Sequence, residues 1–415
     1  MEILVSSCAG LDVHKDTVVV CLRRLQPRRK HKVLSEVRTF GTTTGQILEL
    51  ADWLAEAGVT QVAMESTGVY WKPIWNLLEG QFQMLLVNAR HIKQLPGRKT
   101  DVKDCEWIAE LLQHGLLRSS FVPPPPQRAL RELTRQRRQL IQTKASVANR
   151  IQKVLEDANI KLASVATDIL GVSGREMLRA LIAGQSDANA LAEFARRRLR
   201  AKIPQLQQAL RGRVTKHHRF LLKLLLEQVE QIETWIGQLT SRIVEVLPAP
   251  FVEAVQRLVT IPGIEERAAE SILAEIGTNM EQFASAGHLA SWAGMCSGNR
   301  QSGGKRQSGR TNKGNRWLRG VLVQAAWAAS HTKGSYFSSQ FRRLVGRRGK
   351  KRALVALGHT MLVIIYYLLK RQTTFQDLGA DYLDRYEKDR LQQNLIRCLE
   401  RLGNRVVVEP VAPAA

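Results

Sequence analysis

From Gln282 to Gln376 the chain contains no aspartate or glutamate, against 17 lysines and arginines. Such a segment cannot supply its own carboxylate base or carboxylate metal ligand, so any chemistry there must draw on acids elsewhere. Cysteine is sparse too. Cys8, Cys21, Cys105, Cys296 and Cys398 are scattered, and no pair has CxxC spacing. That argues against a zinc site and a disulfide framework, and it fits a reducing cytoplasm. The segment before Asp12 has too few apolar residues for a signal peptide. The most apolar run, Ala353 to Leu369, includes His359 and Thr360 and follows Lys350-Lys351-Arg352. It falls short of the roughly 20 residues that a membrane span requires, so it reads as a buried helix and no membrane partner is expected. No GxxxxGK[ST] loop is present. Ser302-Gly303-Gly304-Lys305 lacks the hydroxyl residue after lysine, so ATP binding is poorly supported.

What is abundant is positive charge. The 415 residues carry a formal net charge of +25 and a pI of about 10.4. The favoured partner is nucleic acid, ahead of an anionic membrane. The length allows two or three domains.

Residues 1–120 read as α/β. Strands are expected at Cys8–Val13, Thr17–Leu22, Val33–Phe40, Gln61–Met64 and Met84–Val87, the first two joined by a turn at His14-Lys15-Asp16. Thr43–Ala57 has helical periodicity. Pro123-Pro124-Pro125-Pro126 marks a stiff boundary. A long basic helix over 127–162 carries Arg137 and Lys144 at seam positions. That makes a poor dimer seam and suits a helix that meets nucleic acid part way along. Gly171, Gly174, Gly184 and Pro204 read as breakers between shorter helices. From Leu222 to Val246 apolar residues recur by threes and fours, a coiled-coil signal whose partner is either the first long helix or another subunit. Leu258–Ile264, with Pro262-Gly263, resembles the turn of a helix-hairpin-helix that offers backbone N–H groups to phosphate, though an ordinary turn fits as well.

Four carboxylates stand out. Asp12 ends one short apolar run and Glu65 another, while Asp101 and Asp104 lie three apart in Lys99-Thr100-Asp101-Val102-Lys103-Asp104, one face of an expected helix. Acids at the ends of buried strands are costly unless protonated, paired or bound to a cation. Converging hard oxygen ligands suit magnesium, and one or two such ions can clamp the oxygens of a phosphodiester. Taken singly, Asp12 is equally a hairpin residue, Glu65 a helix cap, and the last two a solvated face.

The acid-free region holds a Gly/Ser loop, Ser297 to Arg310, with three candidate nucleophiles: Ser297, Ser302 and Ser308. Arg300, Lys305, Arg306, Arg310, Lys313 and Arg316 are the candidate phosphate binders around it. A flexible DNA-binding loop with no chemistry is the plainer alternative. A serine hydroxyl needs a base or a metal, so the pattern suggests a composite site with acids from the N-terminal part and serine from the C-terminal part. His217-His218 point in different directions on a helix and do not form a metal pair. Trp292, Trp317 and Trp327 could stack on bases, with core packing expected for at least two.

Four motifs occur in one order: Gly10-Leu11-Asp12-Val13-His14-Lys15, Met64-Glu65-Ser66-Thr67-Gly68, the Lys99–Asp104 segment, and Ser302-Gly303-Gly304-Lys305 followed by Lys313-Gly314-Asn315-Arg316. In this combination the chain resembles the insertion-sequence transposases of the DEDD class, IS110 type, with its IS1111 branch, over about residues 8–370. One departure is Cys296, where the family usually has proline. The resemblance implies an α/β RuvC/RNase H-like domain at 1–122 and a helical coiled-coil segment at 123–250. It implies a mostly α C-terminal transposase domain at 251–375, then a helix and disordered tail at 376–415. It also implies a DNA recombinase in which Asp12, Glu65, Asp101 and Asp104 bind magnesium and Ser302 forms a covalent link to DNA. An element-encoded bridge RNA and a tetramer are implied as partners, in a prokaryotic, nucleoid-associated setting. The competing readings are a metal-dependent nuclease using water and a non-enzymatic nucleic-acid-binding scaffold.

Overall fold

Strand β1, Ser7–Val13, is buried almost throughout because both of its faces are covered. The computed structural model describes residues 2–26, 29–66, 68–88, 104–298, 300–386 and 388–407. It divides into two units, Met1–Pro123 and Pro124–Ala415.

In the first unit β1 is followed by β2 (Thr17–Gln26), β3 (Arg29–Gly41), α1 (Thr44–Glu56), β4 (Gln61–Glu65), α2 (Trp71–Leu78), β5 (Gln83–Val87) and α3 (Asp104–Gln113). The five strands form one sheet in the order β3-β2-β1-β4-β5. The β1–β2 and β2–β3 pairs are antiparallel, whereas β1–β4 and β4–β5 are parallel. All five expected strands are present, and β2 and β3 run beyond their expected ends. Strand pleating sends alternate side chains to opposite faces. Ala9, Leu11, Val13, Val62 and Met64 pack with Ile47, Leu50 and Leu54 of α1 and Ile74 and Leu78 of α2. On the other face Cys8 and Ala63 pack with Ile108, Leu111 and Leu112 of α3. Gly10 points to that same second face. A Cβ there would collide with the Cys105 carbonyl oxygen and the Ala109 nitrogen, so α3 crosses β1 directly above it.

The second unit starts in the proline run. Pro124 caps α4 (Pro125–Asp157), whose first two residues are prolines, where a missing N–H costs nothing. Helix α5 (Val172–Ala183) follows, then α6 (Lys216–Val246). Gly171 and Gly184 do bound α5, but Gly174 lies inside it, buried where a Cβ would strike the Ile169 carbonyl. The partner of α6 is α4 of the same chain. Asp157 meets His218 at 2.8 Å and Lys144 meets Glu233 at 2.7 Å, an antiparallel hairpin. Val147, Ile151 and Leu155 of α4 share one core with Leu222, Leu226, Val229 and Ile232 of α6 and Met177, Leu178 and Leu181 of α5. The expected unbroken seam is therefore corrected. Leu226 replaces Leu225 in the core, and Leu225 and Ile236 lie at its margin, because α5 adds a third wall.

For Arg137 a contact to nucleic acid is ruled out by burial. Arg137 is buried and pairs with Glu270 at 2.7 Å, while Lys144 is taken by Glu233.

The remaining elements are α7 (Ala249–Leu258), α8 (Glu266–Ile276), α9 (Ala286–Trp292), β6 (Arg300–Ser302), β7 (Lys305–Ser308), α10 (Arg316–Ser330), α11 (Tyr336–Arg348), α12 (Lys350–Arg371) and α13 (Lys388–Arg401). Helices α7 to α12 and the start of α4 enclose a second core. Among the described residues α12 is the one helix long and apolar enough to cross a membrane, which corrects the expectation that this run falls short of a span, because the helix extends beyond the apolar run at both ends. It places Leu357, Met361, Leu362 and Ile365 in that core, as a buried helix should. The Pro262-Gly263 turn lies against α10. Gly263 has φ +83°, and a Cβ on it would stand 2.7 Å from the Ala329 nitrogen. Close packing thus accounts for glycine there. The expected tail beyond residue 407 lies outside the described residues.

Candidate active site

Asp12 and Glu65 occupy the last turns of neighbouring parallel strands. Leu11 pairs with Met64, so the next residue on each strand, Asp12 and Glu65, sits at the same level. By the alternation of the pleat both project to the face that Gly10 and Ala63 share, the face covered by α3. Helix α3 begins with Asp104. Asp12 and Glu65 are thus neighbours at one end of one sheet face, and the helix that covers that face starts at Asp104. Asp101 lies outside the described residues, and so does the expected helical pairing of Asp101 with Asp104. Asp12 is partly buried, with the Nε2 of His14 3.1 Å from its carboxylate. Sequence reading placed His14 in the turn and in the first motif without a role. The Asp12-x-His14 spacing at the end of β1 was the available signal.

Cys105, beside Asp104, is fully buried. Burial pushes its thiol up to about 12, with Cys21 and then the charges of Glu106 and Asp12 adding to the effect, so it stays neutral and unreactive. The influence of Asp12 on it agrees with both lying on the α3 side of β1. Among the described residues no three carboxylate, imidazole or thiol groups are close enough to enclose a metal ion. The donor chemistry of Asp12, Glu65 and Asp104 still suits a hard cation, because all three are carboxylate oxygen donors.

The Gly/Ser loop contains a hairpin, which the sequence reading did not anticipate. Strands β6 and β7 pair antiparallel, with Ser302 opposite Lys305. The two residues between them, Gly303 and Gly304, have φ of 56° and 74°. Positive φ at both positions is the pattern of a type I′ hairpin turn, for which Gly-Gly is a favoured sequence. The register jumps between Arg300 and Gln301, whose partners are Ser308 and Arg306, leaving Gln307 as a bulge. Ser302 is therefore the last residue before the turn. Ser308 lies at the far end opposite Arg300, and Ser297 precedes the hairpin in a bridge to Thr311. Arg300 and Arg306 lie in the two strands, and Lys305, Arg310, Lys313 and Arg316 are exposed around them.

Trp292 packs against Phe283 at 5.6 Å, and Trp317 lies under the guanidinium of Arg316 at 4.8 Å. Trp327 is half exposed. His218 is a capping residue tied to Asp157, in keeping with the rejection of a metal pair. Sequence reading missed Glu275, a buried acid of α8 bound by Arg135 at 2.7 Å.

The large positive charge suits a nucleic-acid partner. Comparison with known proteins specifies the family. Residues 9–160 match the DEDD transposase family of IS110, described as a transposase. Residues 255–342 match the family described as "Transposase IS116/IS110/IS902 family". The transposase for insertion sequence element IS1111A of Coxiella burnetii (strain RSA 493 / Nine Mile phase I) is 24% identical over 296 residues, covering 70% of this chain and 72% of that protein. The pilin gene-inverting proteins of Moraxella bovis and Moraxella lacunata are each 31% identical over 121 residues, 28% of this chain and 37% of theirs. The protein is a DNA transposase. It belongs to the IS110 family of insertion-sequence transposases.

Proposed function

We propose that this transposase excises and inserts an insertion-sequence element through a covalent serine–DNA intermediate, with Ser302 as nucleophile. The observation that carries the proposal is the position of Ser302 at the end of β6, immediately before a Gly-Gly turn in an acid-free region. Open space surrounds Gly303 and Gly304, where absent side chains let a sugar-phosphate backbone approach. In the first step the Ser302 oxygen attacks phosphorus and forms a Ser–O–P ester. The P–O bond to one sugar breaks, and that sugar oxygen leaves as a hydroxyl, taking up a proton. A second sugar hydroxyl then attacks the ester, releasing serine and joining the strands. Exposed Lys305, Arg310, Lys313 and Arg316 stabilise the negative charge that builds on the phosphoryl oxygens.

Asp12, Glu65, Asp104 and Asp101 would hold the metal ion, magnesium in this reading, which when bound would supply positive charge for phosphodiester chemistry. The sheet order β3-β2-β1-β4-β5, with its acids at strand ends, supports a RuvC-like first domain. The core of α5 with the middle of α4 and α6 supports a helical segment at 123–250, and the core of α7 to α12, which Leu130 and Ile243 also join, supports a transposase domain at 251–375. The net charge and the family resemblance support a bridge RNA as a further partner, and the resemblance supports a tetramer as the working form.

The test uses the full-length protein and an oligonucleotide duplex carrying an element end. Wild type is expected to yield a detergent-resistant protein–DNA adduct. Ser302→Ala yields none, and Asp12→Asn lowers the yield at least about 100-fold while the unfolding midpoint is retained. An undiminished adduct with Ser302→Ala counts against the nucleophile. Strand cleavage to free ends with no adduct points to water attack instead.

A further inference from the structure

Glu275 is a buried acid that strand transfer does not use. It stands in the last turn of α8 and is 2% exposed. Arg135 donates to it twice, Nε to Oε1 at 2.7 Å and Nη2 to Oε2 at 2.8 Å. Arg131 adds a contact at 3.3 Å and donates to the Glu275 backbone carbonyl at 2.7 Å. Burial pushes the Arg131 guanidinium down to about 10, and Glu275 opposes that shift. Arg138 is beside them, donating to the Trp317 carbonyl at 2.7 Å. One acid thus allows several cations to condense in a small volume.

The remaining ligand of Glu275 is Asn315, whose Nδ2 donates to Oε2 at 2.6 Å. Asn315 is also the N-cap of α10. Its Oδ1 accepts from the backbone nitrogens of Trp317 at 3.0 Å and Leu318 at 3.1 Å. The hairpin segment returns to the helical core at this residue. Its neck is narrow. A Cβ on Gly294 would stand 2.7 Å from the Gly314 nitrogen, so two backbones touch there. Above that contact Ser297 bridges to Thr311, and the Gly298 nitrogen donates to the Arg310 carbonyl at 2.9 Å. Arg319 of α10 reaches back to the Thr311 hydroxyl at 2.9 Å.

We infer that Glu275 is a positioning residue. Through Asn315 it fixes the first turn of α10 and the register of the neck, and so aims the Ser302 hairpin. The inference rests on the reading of Ser302 as nucleophile. The chain from Glu275 to Asn315 to the neck can nevertheless be measured without it.

Asn315→Ser keeps a capping hydroxyl and removes the donor to Glu275. In the full-length protein it is expected to unfold near the wild-type midpoint and to bind element-end DNA with unchanged affinity. Adduct formation slows roughly 10- to 100-fold, the scale of a small misplacement of reacting groups. Amide hydrogen exchange quickens in peptides spanning 295–313 and not in α4 or α6. Asn315→Asp sets two carboxylates against each other and is worse. Adding Glu275→Gln reverses donor and acceptor and recovers part of the rate. Wild-type rate and wild-type exchange in Asn315→Ser, or no recovery in the double variant, would overturn the inference. If Ser302→Ala still forms the adduct, the nucleophile reading fails, while hydrogen exchange still decides the neck.

Discussion

Gly10 lies two residues before Asp12 on the same face of β1, and α3 occupies the space its side chain would fill. That close approach brings Asp104, at the head of α3, to the same sheet face as Asp12 and Glu65. The two strand-end acids were legible in the sequence because an apolar run ending in a carboxylate is costly without a purpose. The pairing of Arg137 with Glu270 was not legible. The partners are 133 residues apart, and local charge patterning pointed instead to a solvent-facing cation. Its energetics give a direct check. Arg137→Ala leaves Glu270 buried without its partner and is expected to cost about 3–5 kcal/mol in urea unfolding. Replacing both by apolar residues of similar volume is expected to cost little or to stabilise. In either case the folded variant should bind DNA with unchanged salt dependence, because the Arg137 side chain is 3% exposed. A shallower salt slope would return Arg137 to the DNA-binding surface.

At the scale of elements, the sheet was readable because alternating burial and β-branched residues mark strands directly. The α4–α6 hairpin was half readable. Both helices were evident, but the third wall supplied by α5 moved the seam from Leu225 to Leu226. The β6–β7 hairpin was missed, although Gly303-Gly304 between short polar strands is a hairpin signal. The Gly/Ser composition reads as a loop instead. The turn makes a separable prediction. Gly303→Asn tolerates the φ of 56° and is expected to keep adduct formation within a few-fold of wild type. Gly303→Val, β-branched at positive φ, is expected to lose it while the unfolding midpoint barely moves, since the strain falls on the hairpin turn and not on either helical core. Equal activity of the two variants would mean that the turn type does not matter.

For the whole molecule, the sequence divides its chemistry unevenly. The acids Asp12, Glu65 and Asp104 belong to the first unit and the serine hairpin to the second. Composition made this division visible, because 17 cations without one acid between Gln282 and Gln376 leave a serine without a local activating carboxylate. What composition could not convey is the service of Glu275. It lies outside that stretch, yet its partners Arg135 and Asn315 make it part of the hairpin's foundation. The most direct measurement of the account is mass spectrometry of the trapped adduct after nuclease and protease digestion. The account predicts a nucleotide remnant on the peptide containing Ser302, at its hydroxyl. A remnant on Ser297, on Ser308 or on a residue of the first unit would contradict it, as would cleaved DNA with no protein remnant.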